Sequence, residues 1–340
     1  MEKINQSVDT ATWITVSHAS DIAAARRAGQ RLADLARFDE VRAGQLALIV
    51  TEAATNILKH AGDGVIVLST VYAAGLQGID VLAYDAGPGI GNLGQALRDG
   101  ASTAGTAGNG LGALLRLSDQ FDVYAPRGKG AVFFMRLWRT PSPDLRLDCG
   151  GLALPLAGET ANGDAWAVAP VRGHTALMMV DGLGHGPEAA KAAAAAIAAL
   201  ELQPALRPAR QIDVCHTALR STRGAALAIA LHDAAAGQLH FAGIGNIAAC
   251  VIDAGGRRQL ASYNGIVGHN LRKVQEFTID CAAGALVVLA TDGIGTQWDL
   301  QQYPGLAGCD PSVIAAVLLR DYARPRDDAS VLVYRIPGGA

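Results

Sequence analysis

Apolar residues recurring every three or four positions over 39–60 predict the best-defined helix of the chain. Leu46, Ile49, Val50, Ala53 and Ile57 fall on one stripe of 3.6 period, and Ala61-Gly62 ends it. Ahead of it, a strand over 12–16 leads to Ser20 or Asp21, either of which can cap a helix reaching about residue 37. The period then changes. Apolar runs at 64–72 and 79–84 read as strands joined by a turn at Gly75. A short polar helix, an apolar helix ending at Leu117 and a closing hairpin from Gly128 to Trp138 complete this half.

From Trp138 to Gly151 the pattern lapses, and Pro141, Pro143 and paired glycines mark a short connector. Strands are then predicted at 175–180, 225–232, 238–242, 247–252, 274–279, 285–290 and 329–334, with another candidate after Asn162-Gly163-Asp164. Helices are predicted at 187–202, with Pro187 in the first turn, at 210–221 and at 311–321. Many strands and few long helices, in non-alternating order, predict an α+β sandwich of two sheets flanked by helices. The chain thus divides into a domain over 1–140, a connector over 141–150 and a domain over 151–340.

Composition removes whole classes of function. Half of the 340 residues are hydrophobic and only 17% are charged, which fits a folded chain rather than a disordered one. A net charge of −3 gives no reason to expect nucleic acid or an anionic membrane as partner. Residues 1–7 lack the basic-then-apolar pattern of a signal peptide. The smoothest apolar run, 189–200, is interrupted by Lys191 and is too short to span a bilayer. Five scattered cysteines without a Cys-x-x-Cys pair read as reduced residues of a cytoplasmic protein.

The first half carries one constellation of polar residues. Glu52, Asn56 and Lys59 project together beside the apolar stripe, at about 0°, 40° and −20° for ~100° per residue. Alone, such a triplet is ordinary for a solvated helix face, as are Arg26, Arg27 and Arg31 on the preceding helix. The second strand, however, delivers Asp85-Ala86-Gly87-Pro88-Gly89-Ile90. Later, Gly105-Thr106-Ala107-Gly108-Asn109-Gly110-Leu111-Gly112 opens an apolar helix, where free N–H groups and the helix dipole favour phosphate oxygens. It has neither the Gly-Lys-Ser/Thr ending of a P-loop nor the leading strand of a dinucleotide fingerprint.

Glu52-x-x-x-Asn56, Asp85-x-Gly-x-Gly and the later glycine-rich loop together resemble the GHKL (Bergerat) ATP-binding fold, an α/β sandwich. Within it, the pattern is similar to the RsbT-like serine kinases of bacterial partner-switching modules, over about 12–138. The resemblance implies that Asn56 holds Mg²⁺, that Asp85 accepts the adenine amino group, and that Lys59 lies in the ATP site. It also implies that Gly87 and Gly89 fold the loop against the nucleotide, with Gly105, Gly108, Gly110 and Gly112 along the phosphates. Glu52 would be the general base for an attacking serine hydroxyl. The chemistry makes the same demand, since base and metal ligand belong one helical turn apart beside the γ-phosphate. Ala131 stands where the family often places a threonine whose hydroxyl could touch the nucleotide.

The second half repeats acidic residues at strand ends. Met179-Val180-Asp181-Gly182-Leu183-Gly184-His185-Gly186 closes one apolar run, and Thr291-Asp292-Gly293 closes another. Asp327-Asp328 precedes the last strand, and Asn162-Gly163-Asp164 precedes an earlier one. One Asp-Gly is ordinary turn chemistry, but carboxylates repeated in this way suit a hard cation such as Mg²⁺ or Mn²⁺.

In this order the motifs resemble the SpoIIE-like branch of the metal-dependent Ser/Thr protein phosphatases, whose domain is an αββα sandwich, over about 150–335. Ala242-Gly243-Ile244-Gly245-Asn246 and Asn264-Gly265-Ile266-Val267-Gly268 are similar to its compact RsbX-like members. The resemblance implies Asp164, Asp181 and Asp292 as metal ligands, with the Gly182 carbonyl and Asp327. Asp328, counted with them, stands where many relatives carry asparagine. The implied chemistry is a two-metal hydrolysis through a bridging water. His185 reads equally as the acid that protonates the leaving serine oxygen and as a turn histidine held by a local hydrogen bond. His269 has no assigned role, and Cys215-His216 reads as structural.

Two function classes follow. One is a bifunctional switch in which an ATP-dependent serine kinase and a Mg²⁺- or Mn²⁺-dependent serine phosphatase act on a small partner, implied to be a STAS-domain antagonist, with homo-oligomers allowed. The other is an ATP-binding module that sequesters a sigma factor or antagonist without kinase turnover, fused to an active phosphatase. Glu52 favours the first, because a sequestering module has no use for a base.

Overall fold

The computed structural model describes residues 5–6, 11–97, 110–271 and 273–338. It divides into two compact units. One comprises residues 10–147 with 308–316, and the other residues 1–9, 148–307 and 317–340. The two-residue strand β1 (Asn5–Gln6) belongs to the second unit and precedes the first in sequence.

In the first unit, β2 (Ala11–Val16) leads into α1 (Ala19–Leu35) and α2 (Glu40–His60). There follow β3 (Gly64–Ala73), β4 (Leu76–Asp85), the single turn α3 (Leu93–Ala96), α4 (Gly110–Leu117), β5 (Gln120–Tyr124) and β6 (Ala131–Trp138). The strands form one antiparallel sheet in the order β2-β3-β4-β6-β5. The stripe read from the sequence is its core: Leu46, Ile49, Val50, Ala53 and Ile57 are all buried and pack with Ile66, Leu68, Val81 and Phe133. Full burial of each large side chain stabilises the fold by roughly 1.5–3 kcal/mol.

The cap of α1 differs from the sequence reading. His18 is the N-cap, and Asp21 reaches back instead, accepting the N–H groups of His18 at 2.8 Å and Ser17 at 3.0 Å. A carboxylate three residues into a helix does this work as well as a capping side chain. Asp39 caps α2 directly, through the N–H of Arg42 at 2.8 Å.

In the second unit, β7 (Cys149–Leu154), β8 (Asp164–Val171) and β9 (His174–Gly182) precede α5 (Pro187–Leu202) and α6 (Pro208–Ala218). Then come β10 (Ala225–Asp233), β11 (Gln238–Ile244), β12 (Ala248–Asp253), β13 (Gly256–Leu260), β14 (Phe277–Asp280) and β15 (Leu286–Ala290). Helix α7 (Pro311–Tyr322), whose residues up to 316 count with the first unit, and strand β16 (Ala329–Arg335) close the chain. Two sheets result, β1-β8-β9-β10-β11-β14 and β13-β12-β15-β16-β7. Helices α5 and α6 cover the first, where small residues such as Ala192, Ala193 and Ala196 let helix and sheet approach closely. A buried hydrogen bond of 2.9 Å between His232 Nδ1 and the Tyr334 hydroxyl ties β10 to β16. The fold class is therefore α+β, two sandwiches of different design in one chain.

Candidate functional sites

In the first unit, α2 places Glu52 and Asn56 one turn apart. The Asn56 Nδ2 atom is buried without a hydrogen-bond partner among the described residues. Leaving a buried amide unmatched costs about 1–3 kcal/mol, so such an atom invites a ligand. The first residue of α4 meets it there. A Cβ built on Gly110 would stand 3.3 Å from Asn56 Oδ1 and 3.6 Å from Glu52 Oε2. Base candidate, metal-ligand candidate and helix N-terminus thus converge on one point.

Asp85 sits buried at the end of β4, where Oδ1 accepts the N–H of Gly87 at 2.8 Å and that of Ala131 at 3.3 Å. Gly89 adopts φ +67°, and a Cβ there would lie 2.1 Å from the Pro126 carbonyl oxygen, so only glycine fits. Gly112 is buried within α4, and Lys59 is exposed in the last turn of α2. Gly105 and Gly108 lie outside the described residues. The orphaned Nδ2 is a donor that suits a phosphate oxygen, and Oδ1 of the same side chain is the oxygen a cation such as Mg²⁺ would take.

In the second unit, Asp164 and Asp181 are register partners on β8 and β9. Asp164 is buried, and its Oδ2 accepts the Thr291 hydroxyl at 2.6 Å; Thr291 Oγ1 in turn accepts the N–H of Ser330 at 2.9 Å. Burial, then the charge of Asp181, push the Asp164 carboxyl well above the ordinary carboxylate range. Asp181 is pushed up to about 7 by burial and by the charges of Asp292 and Asp327, against a hydrogen bond from Asn246 that lowers it. Asn246 also donates to Asp292 Oδ2 at 2.6 Å.

Asp327 is exposed and accepts the N–H of Asp328 at 3.0 Å. Asp328 is buried, with one oxygen on the N–H of Leu156 at 2.6 Å and the other on that of Gly163 at 2.8 Å. It braces the segment that leads into Asp164. Gly182 donates its N–H to the Gly163 carbonyl at 3.0 Å, locking the two metal-candidate turns together. A Cβ on Gly293 would fall 1.8 Å from the Asp328 carbonyl oxygen, so the Asp-Gly turn after Thr291 cannot be closed by another residue.

Among the described residues no three acidic, histidine or cysteine side chains form a finished ligand cage. Their charges nevertheless act on one another strongly enough to hold Asp164 and Asp181 toward protonation, the state a bound cation would relieve. An all-oxygen, carboxylate-rich donor set fits hard divalent cations.

His185, on the turn after β9, has Nδ1 at 2.7 Å from Glu159 Oε1. A Cβ on Gly184 would stand 3.1 Å from Arg223 Nη1, so that guanidinium borders the same turn. His269 Nε2 donates to the Thr222 carbonyl at 2.9 Å, and His216 Nδ1 accepts the N–H of Gly268 at 3.0 Å. Burial pushes the Cys215 thiol up to about 12, away from reactivity.

Sequence reasoning left out Glu159, Arg223, Asn246 and Thr291. Asn246 ends the Ala242-to-Asn246 motif and Thr291 precedes Asp292, so both carried a signal; Glu159 and Arg223 are distant in sequence from what they touch.

Comparison with known proteins finds a family match in each half of the chain. Residues 15–137 match the model of the histidine kinase-like ATPase domain, and residues 172–337 match that of stage II sporulation protein E (SpoIIE). The serine/threonine-protein kinase RsbT of Bacillus subtilis (strain 168) is 36% identical over 118 residues, 35% of this chain and 89% of that protein. A solved structure reported as "The bacterial stressosome: a modular system that has been adapted to control secondary messenger signaling" is 32% identical. It covers 56% of this chain and 100% of that one, with a TM-score of 0.53. A structure of the PP2C phosphatase domain with a fragment of the regulatory domain of SpoIIE from Bacillus subtilis is 18% identical. It covers 95% of this chain and 96% of that one, with a TM-score of 0.49. Among the described residues no helix is long and apolar enough to cross a membrane.

Proposed function

We propose that this chain, which belongs to the RsbT-like serine kinases by its ATPase domain and carries a SpoIIE phosphatase domain, writes and erases one phosphoserine on a small partner protein. The partner is a STAS-domain antagonist of a cytoplasmic partner-switching pathway, a reading supported by the kinship with RsbT and with a stressosome protein. The observation that carries the proposal is the meeting of Glu52 and Asn56 at the N-terminus of α4. A carboxylate at that point is placed to take the proton of an attacking hydroxyl.

In the first unit, Asn56 would hold the cation, Asp85 the adenine amino group, and the backbone at Gly110 and Gly112 the phosphates. When bound, Mg·ATP supplies an activated γ-phosphoryl group with its charge already neutralised. Glu52 takes the proton of the incoming serine hydroxyl as Oγ bonds to phosphorus and the bond to the departing ADP oxygen breaks.

In the second unit, Asp164, Asp181, Asp292 and Asp327, with the Gly182 carbonyl, would hold Mg²⁺ or Mn²⁺. Asp328 contributes to that site by fixing the Asp164 turn. When bound, the cations supply an ionised water and neutralise the phosphoryl oxygens. Asn246 and Thr291 hold Asp292 and Asp164 in the ligating orientation.

The test is phosphate transfer from labelled ATP to purified STAS-domain proteins, with wild type and Glu52→Ala side by side. Transfer by the wild type alone supports the reading. ATP binding without transfer by either would leave a sequestering module in its place.

A further inference from the structure

We propose that Glu159 is the positioning residue of the phosphatase site, holding His185 so that its imidazole delivers a proton to the departing serine oxygen. The inference deepens the phosphatase reading above and rests on it.

The two residues come from different segments, each tied to a metal-candidate turn. His185 follows Asp181 on the turn that leaves β9, with φ +86° at Gly184 and +74° at Gly186 on either side. Glu159 lies on the segment between β7 and β8 that ends at Asp164. That segment is fixed at two points by Asp328, through the N–H groups of Leu156 and Gly163. Glu159 itself sits in a turn, its N–H donating to the Leu156 carbonyl at 2.9 Å. The 2.7 Å contact between Glu159 Oε1 and His185 Nδ1 therefore joins two anchored pieces of backbone, 26 positions apart in sequence. It is not a local turn contact.

A carboxylate only accepts, so Nδ1 carries a proton and Nε2 is the nitrogen left to face a substrate. The His185 side chain keeps 58% of its surface open and Glu159 only 28%, as expected if one meets the substrate and the other supports it. In the step assigned here, water adds to phosphorus while the P–Oγ bond breaks. The electron pair of that bond goes to Oγ, which takes the proton from His185 Nε2, and the added water returns a proton to the imidazole. The products are a serine hydroxyl and inorganic phosphate. Glu159 moves no proton; it orients the ring through the 2.7 Å contact at Nδ1.

A half-exposed ion pair adds little to stability, so structural and functional effects separate. The experiment measures kcat at saturating Mn²⁺ for p-nitrophenyl phosphate and phenyl phosphate. The first leaves well without a proton, whereas phenol, with a pKa of about 10 like tyrosine, does not. For Glu159→Ala and His185→Asn, turnover of phenyl phosphate should fall by about 10²-fold, with little change for p-nitrophenyl phosphate. Melting temperature and Mn²⁺ affinity should hold, and Glu159→Asp should restore part of the loss. Equal losses on both esters, or Glu159→Ala indistinguishable from wild type on both, overturns the inference. A wild type that hydrolyses neither ester at any Mn²⁺ concentration overturns the phosphatase reading itself, a separate result.

Discussion

Asn246 donates its amide to Asp292 across 2.6 Å and also hydrogen-bonds Asp181, so one neutral side chain bridges two carboxylates that repel each other. That bond lowers the proton affinity of Asp181, which burial and its acidic neighbours raise. Asn246→Ala should therefore weaken Mn²⁺ binding at pH 7 by about 3- to 10-fold, the equivalent of one hydrogen bond of ~0.5–1.5 kcal/mol. The loss should be larger at pH 6 than at pH 8, because the variant's Asp181 holds its proton more firmly. Calorimetric titration with Mn²⁺ at the three pH values checks this; a loss independent of pH would show that Asn246 acts on something other than Asp181.

Metal binding itself should release protons. A carboxylate must be ionised to ligate, and without metal Asp181 titrates at about 7, with Asp164 also held well above its ordinary range. Affinity for Mn²⁺ should thus be highest above pH 8 and fall as pH drops through 7, by about tenfold per pH unit for each proton displaced. Titrations in buffers of different ionisation enthalpy count those protons. Proton release near zero at pH 6 would mean that the acidic residues are not the ligands.

Much of this was legible in the chain because the relevant signals are short-range. The α2 stripe, the strand-end acids and the glycine loops each declare themselves within ten residues, and the stripe from Leu46 to Ile57 became the core of its unit. What escaped depends on contacts between distant segments. Nothing around Glu159 announces His185, and nothing around Arg223 announces Gly184; only folding brings them together. The α1 cap was misread for a different reason, since Asp21 satisfies the N-cap backbone from inside the helix while His18 takes the end position. The bracing contacts of Asp328 escaped in the same way, because its oxygens take the N–H groups of Leu156 and Gly163 from a distant segment.

The His232–Tyr334 bond between the two sheets should leave a pH signature on stability. Burial lowers the His232 pKa below its ordinary value, so the fold favours the neutral ring. The contribution is full above the unfolded pKa of about 6.5, declines as pH falls through that value, and levels off below the folded one. Thermal melts of the metal-free protein between pH 8 and 5 should show a shallower decline in His232→Gln than in wild type, although the variant starts lower. Parallel curves would exclude His232 as the titrating group.

Glu52→Ala and Asn56→Ala should fail in different ways. Loss of the base should leave Mg·ATP binding near normal and suppress phosphate transfer by about 10²–10⁴-fold. Loss of Asn56 should weaken nucleotide binding, because its buried amide nitrogen has no partner among the described residues and its oxygen is the candidate cation ligand. Nucleotide affinity and single-turnover transfer, measured on both variants, separate the roles. Equal losses of ATP affinity would remove the case for Glu52 as base.

If both domains act on the same serine, ATP and partner together should give steady ATP hydrolysis without lasting build-up of phosphopartner. The phosphorylated fraction is then the ratio of two rates, and anything that biases either domain moves the switch. Because both domains reside in one chain, a phosphopartner leaving the first site would meet the second at raised local concentration. Asp292→Asn removes one carboxylate charge from the cation site and should convert cycling into near-complete phosphorylation while ATP binding is retained. Glu52→Ala should leave the partner unphosphorylated. Phosphate-affinity gels of the partner over time, run with each variant, decide between the outcomes. A steady phosphorylated fraction that Asp292→Asn does not change would mean that the two domains serve different substrates, and the switch would have to be sought elsewhere.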